Sequence, residues 1–114
     1  MAVERVRSTV VRTAETSWRQ TQTPGVAVKM LRSDKATGES SFLLKLEAGA
    51  RVPAHDHPGG EELYVLEGDF QVGADKLHAG DYLYTPASAV HAASSVEGCL
   101  VLVVLPEPVR ILGA

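Results

Sequence analysis

The reading of this chain turns on Gly49-A-R-V-P-A-H-D-H-P-G-G-E-E-L-Y-V-L-E-Gly68. His55 and His57 stand two apart in a run of strand type, and side chains at i and i+2 of a strand share one face. Both imidazoles therefore look the same way. Pro58, Gly59 and Gly60 bend or bulge the chain. Glu61 opens the next run, E-E-L-Y-V-L, from which its carboxylate can swing back to the same point. Two neutral imidazoles and one carboxylate converging make a site for zinc, iron, manganese or nickel. The competing reading is a polar loop cluster. It asks several buried polar groups to find separate partners, so the metal reading is preferred.

Outward from this stretch the chain reads as β structure. Val3 to Val11 is β-branched and apolar, and reads as a strand. Thr13 to Pro24 is polar, with Trp18 as a large apolar anchor pinning a loop to the barrel wall. Val26 to Leu31 and Ser41 to Ala48 are strands flanking a hairpin loop at Asp34 to Glu39. Val52 to His57 and Glu61 to Glu67 follow. Gly68-Asp69 is expected to turn into a strand from Phe70 to Gly73, with Ala74-Asp75-Lys76 as a tip. Tyr82 to Thr85 and Val90 to Ser95 come next. Cys99 to Leu105 is continuously apolar, which predicts burial on both faces. Pro106 and Pro108 stop it or leave an edge strand. No segment keeps a helical period, and turn signals recur about every 8–12 residues, as in a sandwich or barrel.

Length and composition agree with one domain. The 114 residues are 45% hydrophobic and carry a formal charge of -3, enough for one core and no second. No basic run points to nucleic acid, and the longest apolar run is too short to cross a bilayer. Cys99 is the one cysteine, so no intrachain disulfide forms; opening a buried strand, it reads as an inert small hydrophobe. The first residues show no signal-peptide core, and the expected location is cytoplasmic.

A second constellation, Gly80-D-Y-L-Y-T-Pro86-A-S-A-V-His91, lies one hairpin on. His91 follows a turn and opens a strand, so it can face the His55/His57 strand as the fourth ligand. Three imidazoles and a carboxylate leave room for water or a substrate, a reactive kind of site. His78, in K-L-H-A-G, reads as an exposed loop histidine.

These two segments resemble the paired motifs of the cupin superfamily. The first motif, G-x5-H-x-H-x3–4-E-x6-G, is matched by Gly49, His55, His57, Glu61 and Gly68; the second, G-x5-P-x-G-x2-H-x3-N, by Gly80, Pro86 and His91. Ser88 replaces the glycine and Ser95 the asparagine, and only 11 residues separate the motifs. Trp18, the P-G-V-x-V-K-x-L run, P-x-S-x-x-H and E-G-C are more narrowly similar to the cupin domain of ChrR-type anti-sigma factors, over Trp18 to about Leu105. That group is similar in turn to small stand-alone cupin dioxygenases that cleave acetylacetone or dihydroxyacetophenone.

The resemblance implies an all-β, single-domain jelly-roll barrel (double-stranded β-helix) over 1–114, its barrel at about 26–105. It implies one divalent ion (Zn, Fe, Mn or Ni) on His55, His57, Glu61 and His91. Two functions follow: an oxygenase acting on a small dicarbonyl or enol, or a metal-binding sensor or small-molecule module without catalysis. A third, a structural cupin with a degenerate site, stands behind them. The helical zinc domain that grips sigma in those factors has no counterpart here, so direct sigma-factor binding is not expected. Strand parity puts Leu63 and Val65 inside with Glu61. Tyr82 and Tyr84 share a face and are catalytic candidates if that face is inward; Glu62 is a third candidate, with a solvated carboxylate as its plainer reading. Parity turns Glu62, Tyr64 and Leu66 outwards, where large apolar groups call for cover. A homodimer exchanging the N-terminal strand would supply it.

Overall fold

The computed structural model describes residues 6–111, which hold ten strands, one three-residue 3-10 helix and no α-helix. The strands are β1 (Arg19–Gln20), β2 (Val26–Ser33), β3 (Ser40–Leu46), β4 (Arg51–His57) and β5 (Glu61–Val72), followed by β6 (Asp75–His78), β7 (Tyr82–Thr85), β8 (Ala89–Ser94), β9 (Cys99–Leu105) and β10 (Arg110–Ile111). All pairings are antiparallel. One sheet runs β1-β2-β3-β9-β5-β7, the other β6-β5-β8-β4-β10. This is the all-β jelly-roll architecture expected. None of the described helices is long and apolar enough to cross a membrane.

The two sheets share β5. Glu61 to Gly68 pairs with β7 and β9, and Asp69 to Val72 with β6 and β8. The turn expected at Gly68-Asp69 is therefore a barrel corner inside one twelve-residue strand. Gly68 has φ +79°, and a Cβ there would lie 1.9 Å from the Gly98 carbonyl oxygen, so only glycine lets the corner close. Asp69 braces it. Its carboxylate accepts from the Val96 and Glu97 amides at 2.9 and 2.8 Å, and its backbone carbonyl accepts from Ser95 Oγ at 2.6 Å.

Alternation fills the interior. Glu61, Leu63 and Val65 on β5 point in, while Glu62, Tyr64 and Leu66 point out. On β9 the inward Cys99, Val101, Val103 and Leu105 are buried, but Leu100, Leu102 and Val104 are only half-buried. The expectation of burial on both faces of β9 is thus corrected: its apolar run lies in a sheet covered on one side.

Three further expectations change. Residues 6–11 form no strand, and Val6, Val10 and Val11 are exposed; the rest of the expected Val3–Val11 strand lies outside the described residues. β-branched content alone cannot hold a strand that finds no neighbour. The polar stretch after it is not all loop, since it contains a 3-10 turn at Thr13–Glu15 and β1. The tip expected at 74–76 is a tighter turn at Gly73 and Ala74, which frees Asp75 and Lys76 to pair with Val72 and Gln71. His78 ends that strand and is exposed. Trp18 keeps its anchoring role: the Nζ atoms of Lys29 on β2 and Lys45 on β3 sit 4.9 and 5.4 Å from its ring centroid.

Candidate metal centre

Three neighbouring strand ends build the site. β4 carries His55 and His57, buried at 7% and 0% exposure. A bulge between Val52 and His55 resets its register against β8, so that His55 pairs with His91. The turn after β4 closes with the Gly60 amide donating to the His57 carbonyl (3.0 Å) and delivers Glu61 to the start of β5. The loop from β7 to β8 is tied to the same carbonyl by the Ser88 amide (2.7 Å). Ser88 has φ +69°, the one non-glycine with positive φ among the described residues. The glycine of the cupin motif falls at this position.

The cluster is tight. Ring centroids lie 4.5 Å apart for His55 and His57, 5.3 Å for His55 and His91, and 4.3 Å for His57 and His91. One nitrogen from each falls within 4.8 Å of the other two, so the three histidines could hold a metal ion. Glu61 reaches back as the spacing predicts: Oε2 lies 3.2 Å from His57 Nε2, and Oε1 3.8 Å from His91 Nε2.

The hydrogen bonds fit such an ion. His55 Nδ1 is 2.7 Å from the Pro53 carbonyl and His57 Nδ1 is 3.2 Å from that of Ala89. A carbonyl accepts from Nδ1–H, which fixes the tautomer and leaves Nε2 as a bare lone pair, the form in which imidazole ligates. His57 Nε2 is wholly buried and makes no hydrogen bond. A cation between it and Glu61 would satisfy both.

Burial also sets the charge. Desolvation pushes the Glu61 carboxyl up to about 7, opposed by the charge of His55. His91 is pushed down to about 4, first by desolvation and then by His57 and His55. The imidazole thus stays neutral near pH 7, and a divalent cation would draw the carboxylate back to its ionised form.

A cavity of about 180 Å³ lies against the cluster. Its polar lining is His55, Glu61 and His91. Every other described wall residue is apolar, with Phe42, Leu44, Leu63, Phe70, Val103 and Leu105 prominent. Tyr82, Tyr84 and Glu62 are not among them. Tyr82 and Tyr84 are 56% and 62% exposed on the outer face, where Tyr82 donates a 2.6 Å hydrogen bond to Glu62. Parity decides this: Tyr82 and Tyr84 pair with the outward Tyr64 and Glu62 of β5. The three catalytic candidates are therefore corrected to surface residues. The Pro53 and Ala89 carbonyls were invisible to motif reading, because backbone acceptors leave no residue-type signal. The wall residues were legible only as inward parity.

Comparison with known proteins places these features in a family. The sequence profile of the ChrR cupin-like domain matches residues 6–107. Over 75 residues, 60% of this chain, it is 37% identical to the DNA damage-repair/toleration protein DRT102 of Arabidopsis thaliana, and the match spans 23% of that protein's length. A candidate acetylacetone dioxygenase from Methylibium petroleiphilum superposes with a TM-score of 0.88 at 21% identity, over 98% of this chain and 85% of that one. An acetylacetone dioxygenase from Acinetobacter johnsonii does so with a TM-score of 0.80 at 14% identity, over 97% and 80%. At these identities the two structures speak for the fold. With the profile covering nearly all described residues and both motifs in place, the chain belongs to the ChrR cupin-like domain family.

Proposed function

We propose that this chain is a small metal-dependent oxygenase of the cupin type, in which His55, His57, Glu61 and His91 hold one divalent ion. The substrate is a small dicarbonyl or enol. The observation that carries this reading is His57: its Nδ1 is held by the Ala89 carbonyl, while its buried Nε2 has no hydrogen bond and faces Glu61. The ion, when bound, supplies Lewis acidity and, for iron, manganese or nickel, a centre for dioxygen chemistry. The protein's own part is to present neutral imidazoles, to hold the carboxylate against them, and to keep water from the substrate's body with an apolar wall. The likeness to acetylacetone dioxygenases supports the reaction class by analogy of fold. Protein purified without added metal should contain a first-row divalent ion, and it should consume O2 with a β-diketone. Metal-replete protein that consumes none with any dicarbonyl overturns the oxygenase reading.

One observation favours a second reading, a metal-binding sensor or small-molecule module. Among the described residues, no acid or base lines the cavity beyond the cluster itself. On that reading ligands raise the melting temperature of the metal-loaded protein without turnover.

For the assembly we propose a homodimer. The outer face of β5 and β7 exposes Tyr64, Leu66, Tyr82 and Tyr84 among the carboxylates Glu62 and Glu67. Residues 6–12 offer Val6, Val10 and Val11 with the cations Arg7 and Arg12, all exposed. The segment thus complements that face of a second copy in both polarity and charge.

A further inference from the structure

We infer that the cavity beside the metal cluster selects a small chelating ligand with a hydrocarbon body, and rejects ligands that carry a carboxylate beyond the chelating group, 2-oxoglutarate among them. This rests on the reading that the cluster binds a metal, and it goes further by naming what the rest of the ligand must be. All polar groups of the wall are cluster members, so a ligand's polar atoms find partners at one end only. No cationic side chain lines the cavity among the described residues. Three cations of the strands flanking the cavity are engaged elsewhere: Lys29 and Lys45 lie over Trp18 on the outer face, and Arg32 pairs with Glu39 and Asp34. A carboxylate not bound to the ion would be stripped of water with no counter-charge, and a hydroxyl would lose its hydrogen bonds.

Size narrows the class. At about 180 Å³ the space is close to a ~150 Å³ apolar cavity that accepts benzene, well under the 300 Å³ or so at which drug-sized sites begin. The accepted body is of benzene size, a short alkyl chain or one ring. Phe42 and Leu44 of β3 line the cavity, are half-buried, and bound it on one side.

The test uses protein loaded with zinc, which has no redox chemistry, so that binding is read apart from turnover. Zinc uptake is measured first. Calorimetric titration then compares acetylacetone and 3,5-heptanedione with 2-oxoglutarate, whose distal carboxylate is left against the apolar wall when its 2-oxo acid end chelates. The diketones are expected to bind at least ten-fold more tightly. Phe42→Ala is expected to admit a diketone longer by two or more methylenes than the natural cavity accepts. Leu44→Ala, a smaller excision from the same strand, gives the same reading if the first variant does not fold. Equal affinity, tighter binding of 2-oxoglutarate, or no binding of any diketone overturns the inference while leaving the metal reading intact. Absence of zinc uptake overturns both.

Discussion

His55 and His91 are register partners across β4 and β8, their ring centroids 5.3 Å apart and their planes at 86°. An antiparallel pair sets its side chains at a fixed spacing before any ligand arrives. The two imidazoles are thus positioned by backbone pairing, and the barrel carries the donor geometry as part of its fold. That makes the site testable by stability as well as by affinity.

Removing the metal should loosen the protein. Ions that bind only the folded chain at about 100 times their Kd stabilise it by about 2.7 kcal/mol, or roughly 10 °C in melting temperature for a domain of this size. Chelator is expected to lower the melting temperature of metal-replete protein by that order, and added metal to restore it. His91→Ala should weaken metal binding by more than the 10–100-fold typical of losing a group that merely orients a ligand. An unchanged melting curve after proven metal removal counts against the four-ligand set.

Acid stability should depend on Asp69. The Val96 and Glu97 amides, with Ser95, hold its carboxyl below the usual carboxylate range. A depressed folded pKa adds stability above the unfolded value near 3.9, which is lost as the pH falls through the folded one. Asp69→Ala should be less stable than Asp69→Asn, and both less than the natural chain at pH 7. The curves of the natural chain and Asp69→Asn should converge as the pH falls through the folded pKa of Asp69, with Asp69→Ala remaining below both. Parallel pH profiles for the natural chain and Asp69→Asn would mean that the bracing of the corner is not electrostatic.

Ser88 sits at φ +69°, a conformation that costs a side chain about 1 kcal/mol and glycine nothing. Ser88→Gly is expected to raise stability by about 0.5–1 kcal/mol in denaturant melts with metal affinity unchanged, because its anchoring contact is a backbone amide that glycine keeps. A lower midpoint for the variant would show that the serine hydroxyl has a role of its own.

The assembly is settled by mass. Light scattering at micromolar concentration should give twice the 12.1 kDa chain mass. Leu66→Glu, on the outer face of β5, should return the protein to monomer without lowering metal content. A monomeric natural chain rules the dimer out.

Much of this was legible in the sequence because spacing and parity are local. The i, i+2 histidines, Glu61 after a Pro-Gly-Gly turn, and the inward Leu63 and Val65 follow from a period of two, and the structure repeats them. What escaped depends on distant partners. Val6 to Val11 has strand composition but no strand beside it. Gly68-Asp69 has turn composition, yet β9 pairs with Gly68 and β6 with Asp69, so one strand carries the corner without a break. Tyr82 and Tyr84 could face either way until their pairing with β5 turned them outwards.

The shared strand β5 has a mechanical consequence. A sandwich whose sheets are joined by loops can lose one sheet while the other stays formed. Here one unbroken strand supplies the β9 partner in the first sheet and the β6 partner in the second, with Glu61 of the site at its head. Neither half can detach without stripping the other of a central member. Amides at the middle of both sheets should therefore exchange with solvent through one common opening, and that opening dismantles the site as well.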